Sequence, residues 1–207
     1  MSAAVDLTLQ PLQISLPGPV VFIHGASSTP RSFAYLKHRL EVVGAVDVAY
    51  DDAKPAEEVV DELVQALEPS PAPATLIGHS LGGVIAVAAA QRSSKVDRVV
   101  TLASPLGGCP EATFLRFVSP RRVLEDVHPL APLMVDVRRA AIAVPVLSIV
   151  TTEDTVVGVA SQRALEGPTY VPFPLNHFEV LLDDQVAECV SGFILAGAAR
   201  RRRRALP

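Results

Sequence analysis

The sequence predicts an α/β protein: a mainly parallel sheet with helices on both faces and a short insertion over about residues 105–143. Three observations point there. Apolar stretches of strand character alternate with helical stretches along the chain, the pattern of βαβ crossovers. Several of those stretches are continuously apolar rather than alternating, as strands buried on both faces are. The chain has 207 residues, 49% apolar and 19% charged, enough for one large core. A single domain over residues 1–199 follows, with 200–207 as an arginine-rich tail expected to be disordered.

Residues 1–18 hold Leu7-Thr8-Leu9-Gln10 and Leu12-Gln13-Ile14-Ser15, two alternating pieces closed by Pro17-Gly18, and read as an edge strand or hairpin. Pro19 to Ile23 reads as a buried strand that ends at the small polar loop His24 to Pro30. Thr29-Pro30 then opens a helix over Arg31 to Val43, with proline at its first position and Gly44 at its end. Ala45 to Tyr50 reads as strand, Pro55 to Leu67 as an acidic-faced helix, Ala74 to Ile77 as strand and Leu81 to Arg92 as helix. Val96 to Leu102, Val144 to Val150 and the short Tyr170-Val171 complete the strands, and Phe178 to Leu195 is the closing helix.

The segment of about 105–143 is too long for an ordinary βα connection. Phe114, Leu115, Phe117, Val118, Leu130, Leu133 and Met134 are set there among Pro110, Pro120, Pro129 and Pro132, which suits short helices laid over the carboxyl edge of the sheet. Such a segment serves equally as a lid, as an acyl-pocket wall or as packing.

Arg200 to Arg204 are five consecutive arginines. Removing them from the net charge of −4 leaves the rest of the chain at −9, so no nucleic-acid partner is expected of the body. The arginine run itself suits weak contact with an anionic surface. A basic, apolar signal segment and an apolar run of membrane-spanning length are not seen, and a cytoplasmic location is the expectation. Cys109 and Cys189 have no metal or redox spacing.

Chemistry concentrates at Gly78-His79-Ser80-Leu81-Gly82-Gly83. An apolar strand leads in and a strong helix former leads out, the context of a nucleophile elbow. Glycines two before and two after Ser80 relieve the collisions of so tight a turn. The amide of Leu81, at the start of the helix, is free to donate to an oxyanion. A serine hydroxyl also needs a base and a group to orient that base. His177, between the last strand and the last helix, is the candidate base. Asp154, directly after the strand ending at Val150, is the candidate acid. Glu153 is its rival, Asp183 and Asp184 suit the topology less well, and Asp126 and Asp136 fall in the insertion. Ser80, Asp154 and His177 each follow a strand, in the chain order expected of an α/β-hydrolase. The second oxyanion amide is assigned to Ala26, after His24-Gly25. His24 reads as structural, while Ser27, His79, Leu106, Met134 and Val156 are candidate pocket residues.

From Pro19 to about Leu195 the chain resembles the compact serine α/β-hydrolases of lipase and esterase type. The carrying motifs are Val21-Phe22-Ile23-His24-Gly25, Gly78 to Gly83, Ala103-Ser104-Pro105-Leu106-Gly107-Gly108, Glu153-Asp154-Thr155-Val156-Val157 and Asn176-His177-Phe178. The third resembles the Ser/Thr-Pro-x-x-Gly segment of triacylglycerol lipases and of lipase-like deacylases. Leu106 stands where many members carry histidine. Together with the unseen signal segment, this favours an esterase over a secreted fat-digesting lipase. The resemblance implies the α/β-hydrolase fold, a small-molecule or lipid ester as substrate, an acyl-enzyme on Ser80, and no metal or organic cofactor. A thioesterase or acyltransferase would use the same triad, and a lipase-like binding protein would keep the fold without turnover. The aliphatic, tryptophan-free insertion favours an acyl or alkyl group.

Overall fold

The computed structural model describes residue 16 and residues 18–42, 44–109 and 121–204; for 121, 122, 124 and 198–204 it describes the backbone. The apolar runs form strands β1 (Val20–Ile23), β2 (Ala45–Val48), β3 (Ala74–His79), β4 (Val96–Leu102), β5 (Val146–Thr151) and β6 (Thr169–Phe173). They pair in the order β2-β1-β3-β4-β5-β6, and every pairing is parallel. A parallel neighbour requires a crossover that returns the chain to the same end of the sheet, so all six carboxyl ends open on one edge. The chain goes from β1 outward to β2 and then returns to the other side of β1 for β3. The direction of growth therefore reverses between β1 and β3, the crevice where open parallel sheets take their ligands.

Side chains alternate between the faces. Val20 and Phe22 pack with α1 (Ala34–Leu40) and α7 (Asp184–Arg204), whereas Val21 and Ile23 pack with α2 (Ala56–Leu67), α3 (Leu81–Arg92) and α5 (Pro132–Arg139). β3 is buried along its whole length, and α3 is buried from Leu81 to Ala90. The run Gly82-Gly83-Val84-Ile85-Ala86-Val87-Ala88-Ala89-Ala90 suits that position because small side chains let the helix lie close on the sheet and leave no polar group without a partner. Two shorter helices complete the described α-helices, α4 (Arg121–Asp126) in the insertion and α6 (Val159–Gln162) after β5. Asp126 accepts the N–H of Ala56 through Oδ2 at 3.0 Å, so the insertion places a carboxylate at the positive end of α2. Among the described residues no helix is long and apolar enough to cross a membrane.

Element ends differ from the sequence reading in several places. The first helix begins as a 3₁₀ turn over Pro30–Phe33 and stops at Leu40, because Glu41 takes the left-handed conformation at φ 39° and ends it before Gly44. β2 ends at Val48 rather than Tyr50. The closing helix does not start at Phe178. Asn176 Oδ1 accepts the N–H groups of Phe178 and Glu179 and nucleates a separate 3₁₀ turn, Glu179–Leu181. Asp183 Oδ1 then accepts the N–H of Val186 and caps α7. Arg200 to Arg204, expected as a disordered tail, continue that helix to Arg204. The N-terminal hairpin and Phe114, Leu115, Phe117 and Val118 lie outside the described residues.

Candidate active site

The elbow is built by close backbone approach. A Cβ on Gly78 would stand 2.2 Å from the carbonyl oxygen of Gly82, and one on Gly82 would stand 2.0 Å from that of Ile23. Both contacts are with backbone, so only glycine fits. Between them Ser80 sits at φ 53°, ψ −123°, a conformation that costs on the order of 1–3 kcal/mol and is held by its surroundings. Its N–H donates to Leu102 O at 2.9 Å and its carbonyl accepts the N–H of Gly83 at 3.0 Å. Leu81 is the first residue of α3, where helix geometry supplies no partner for the N–H.

The loop after β1 comes to the same point. A Cβ on Gly25 would be 2.9 Å from Ser80 Cβ and 3.1 Å from His79 Nδ1. Residues following β2 hold this loop. The N–H of Ser27, itself at φ 53°, donates to Asp52 Oδ2 at 2.6 Å. Tyr50 donates its hydroxyl to His24 O at 2.8 Å and lies parallel to the His24 ring, centroids 4.3 Å apart. Burial, and then the nearby carboxylates of Asp52 and Asp126, push the Tyr50 phenol well above its ordinary range and keep it a donor. His24 Nδ1 faces Gly25 O at 2.8 Å, which assigns the ring to bracing this loop.

At the ends of β5 and β6, His177 Nδ1 lies 2.8 Å from Asp154 Oδ2, and both side chains are buried. Asp154 Oδ2 also accepts the Thr151 hydroxyl at 2.7 Å, and Oδ1 accepts the N–H groups of Val156 and Val157 at 2.8 and 2.9 Å. Burial pushes this carboxyl up, but the bond and charge of His177, with the Val157 N–H and the Thr151 hydroxyl, outweigh it and hold the group below the usual carboxylate range. An ionised carboxylate only accepts, so the His177 proton sits on Nδ1 and Nε2 keeps a free lone pair. Glu153 is exposed. Asp183 and Asp184 belong to the start of α7 instead, Asp183 as its cap and Asp184 as acceptor for Tyr35 and Arg39.

His79 joins the elbow to this pair. Its Nε2 lies 2.8 Å from the His177 carbonyl, so Nε2 carries the proton. The two imidazole rings are 4.8 Å apart. Burial, and then the neighbouring His177, push His79 down to about 3, against the raising effect of the bond to that carbonyl. Among the described residues Ser80 Oγ makes no hydrogen bond with the His177 ring; such contacts often tighten only when substrate is bound. Phe178 stands edge-on to His177 with centroids 5.1 Å apart and is 58% exposed.

Leu106, Met134 and Val156 are buried members of the core cluster under α2 and α3. A cavity of about 510 Å³ lies between the start of α2 and the insertion helices, lined by Glu57, Glu125, Asp126 and His128 with Leu130 and Leu133; Ser80 and His177 are not among its walls. Among the described residues no group of three or more His, Cys, Asp or Glu side chains is arranged to hold a metal, and Cys109 and Cys189 are free thiols. Tyr50, Asp52, Thr151 and Gln162 belong to no motif of the sequence. The acidic pair Asp51-Asp52 after a strand is the one signal that points to this loop; a buried glutamine in a one-turn helix carries none.

The model of a family described as the alpha/beta hydrolase family matches residues 20–174. No curated protein matches the sequence. Similar solved structures include a monoacylglycerol lipase from Paleococcus ferrophilus, at 17% identity over 89% of this chain and 100% of that one, with a TM-score of 0.65. A lipase-esterase related protein from Clostridium acetobutylicum ATCC 824 is 17% identical over 89% of this chain and 96% of its own, TM-score 0.62. A pyrethroid hydrolase from Sphingobium faniae JZ-2 is 18% identical over 86% and 97%, TM-score 0.59. At these identities the likeness is one of fold.

Proposed function

The chain belongs to the alpha/beta hydrolase family, and on that footing we propose that it is a serine hydrolase that cleaves carboxylic esters through Ser80, His177 and Asp154. One observation carries the reading: a serine at positive φ at the head of α3 is followed across one hydrogen bond, through its neighbour His79, by a buried histidine–carboxylate pair at the same sheet edge. Neighbours named as lipases and esterases support an ester as the substrate class.

Ser80 Oγ attacks the ester carbonyl carbon as His177 Nε2 takes its proton. Asp154 accepts from Nδ1 and stabilises the imidazolium, and the amides of Leu81 and Ala26 receive the developing oxyanion. His177 then protonates the departing alcohol, leaving Ser80 acylated. Water attacks the acyl-enzyme with the same proton transfers and releases the acid. The exposed apolar surface of Phe178 beside His177 favours an aliphatic ester over a strongly polar one.

A fluorophosphonate probe tests this directly. The wild-type protein is expected to be labelled and Ser80→Ala is not, with hydrolysis of p-nitrophenyl esters falling about 10⁴-fold or more in the variant. A folded wild-type protein that takes no label and hydrolyses no ester from short to long acyl chains would overturn the assignment.

A further inference from the structure

The groups that orient Asp154 form a directed chain of hydrogen bonds beginning at Gln162, the last residue of α6, whose side chain is fully buried. Two neighbours with one role each fix its amide. The Thr151 N–H can only donate and lies 2.9 Å from Oε1, while the Val157 carbonyl can only accept and lies 2.8 Å from Nε2. Turned over, the amide would set donor against donor and acceptor against acceptor. Held this way, Nε2 faces Thr151 Oγ1 at 3.0 Å, with Thr151 O and Asp154 Oδ2 each at 3.3 Å.

The Thr151 hydroxyl has one proton and two acceptors in reach. Asp154 Oδ2 is at 2.7 Å and charged, whereas Gln162 Oε1 is at 3.2 Å and neutral, so the carboxylate receives it. The order is Gln162 Nε2–H to Thr151 Oγ1–H to Asp154 Oδ2, with His177 Nδ1–H arriving at the same oxygen from the other side.

From this geometry we infer that Gln162 is a positioning residue of the site: it aims the Thr151 hydroxyl at Asp154 and thereby sets how strongly the carboxylate holds His177. The inference rests on the reading of Ser80, His177 and Asp154 as the reacting groups. Each donor to the carboxylate disperses its charge. Removing the Thr151 donor, or the amide that directs it, makes Asp154 a stronger partner for the imidazolium that forms in turnover, and it loosens the carboxylate. Among the described residues, the titratable groups close to the pair are His79 with His24 beyond it from the elbow side, Cys109 after β4, and the chain neighbours Glu153 and Glu179. The substitutions below alter none of them.

The test compares wild type with Gln162→Met, Thr151→Val and Thr151→Ser. It measures kcat and KM against pH on a p-nitrophenyl ester, and the low-field proton resonance of the His177 Nδ1–H by NMR. Gln162→Met and Thr151→Val are expected to lower kcat about tenfold with KM within about twofold, to move the acid limb of kcat/KM upward by several tenths of a pH unit, and to shift the resonance. Thr151→Ser, which keeps the hydroxyl, restores the wild-type pH profile and resonance. If Gln162→Met does not fold, the Thr151 pair decides, because equal behaviour of the valine and serine variants overturns the chain. A folded Gln162→Met with an unmoved acid limb and resonance overturns it as well. A wild-type protein that is neither labelled by the fluorophosphonate nor active fails the functional reading instead, and the resonance reports on the Gln162 link without turnover.

Discussion

His79 stays uncharged across the neutral range because burial, followed by the presence of His177, pushes it down to about 3, and it uses its one proton to hold the His177 carbonyl. That bond fixes the backbone of the loop from which His177 projects. Replacing His79 by leucine leaves a buried carbonyl without its donor; kcat is expected to fall about tenfold to a hundredfold with little change in KM. His79→Gln, whose amide N–H extends about as far as Nε2, is expected to recover most of that loss. Equal losses in the two variants, read from kcat and KM on a short-chain ester, would mean that the ring serves only as packing. In the sequence His79 reads as a pocket neighbour because it adjoins Ser80. Its partner is a backbone oxygen 98 residues away, and no spacing rule reaches that. Gln162 is hidden for the same reason: its partners converge only once β5, the acid turn and α6 are folded together. The pairing of Asp154 with His177 is legible because a short carboxylate directly after a buried strand has few directions open to it.

At the scale of elements, the loop after β1 is shaped by the segment after β2. Ser27 is strained at φ 53°, and the acceptor that holds it there is Asp52. Asp52→Ala removes that acceptor, so the loop relaxes; under the proposed mechanism, which gives the Ala26 amide to the oxyanion, kcat is expected to drop about tenfold while KM holds. Asp52→Asn keeps an oxygen able to accept the N–H and is expected to stay within about threefold of wild type. An alanine variant with undiminished kcat on a p-nitrophenyl ester would release Asp52 from this role. The strands were readable because β1, β3 and β5 are buried on both faces, which demands unbroken apolar runs. Their flanking turns were less readable because several capping signals compete. Asn176 and Asp183 both claim the start of the last helix, and the structure uses each for a different turn.

At the scale of the molecule, the reversal of strand order between β1 and β3 gathers the elbow and its bracing loop at one crevice, while β5 and β6 bring Asp154 and His177 to the same edge. The alternation of strands and helices made the parallel sheet legible. The order of its strands was not, since each crossover can run to either side. Packing the elbow into that crevice buries His79 in its neutral form, which ties global stability to pH. The unfolded chain takes up a proton on this histidine below its ordinary value of about 6.5. The folded chain does so only near 3. Between those limits the unfolded state binds more protons, so stability is fully present above about pH 6.5 and is lost as pH falls. From about pH 7 to about pH 5 the loss attributable to this group is on the order of 2 kcal/mol. The Asp154 carboxyl, held below its usual range, gives up its contribution only below about pH 4 and stays clear of this window. His79→Gln cannot titrate and carries the same remaining histidines. Urea unfolding followed by circular dichroism at the two pH values is therefore expected to give a smaller loss for the variant than for wild type. Parallel losses in the two proteins would mean that His79 is protonated in the fold, and the donor assignment from its Nε2 would then have to account for a second proton on Nδ1.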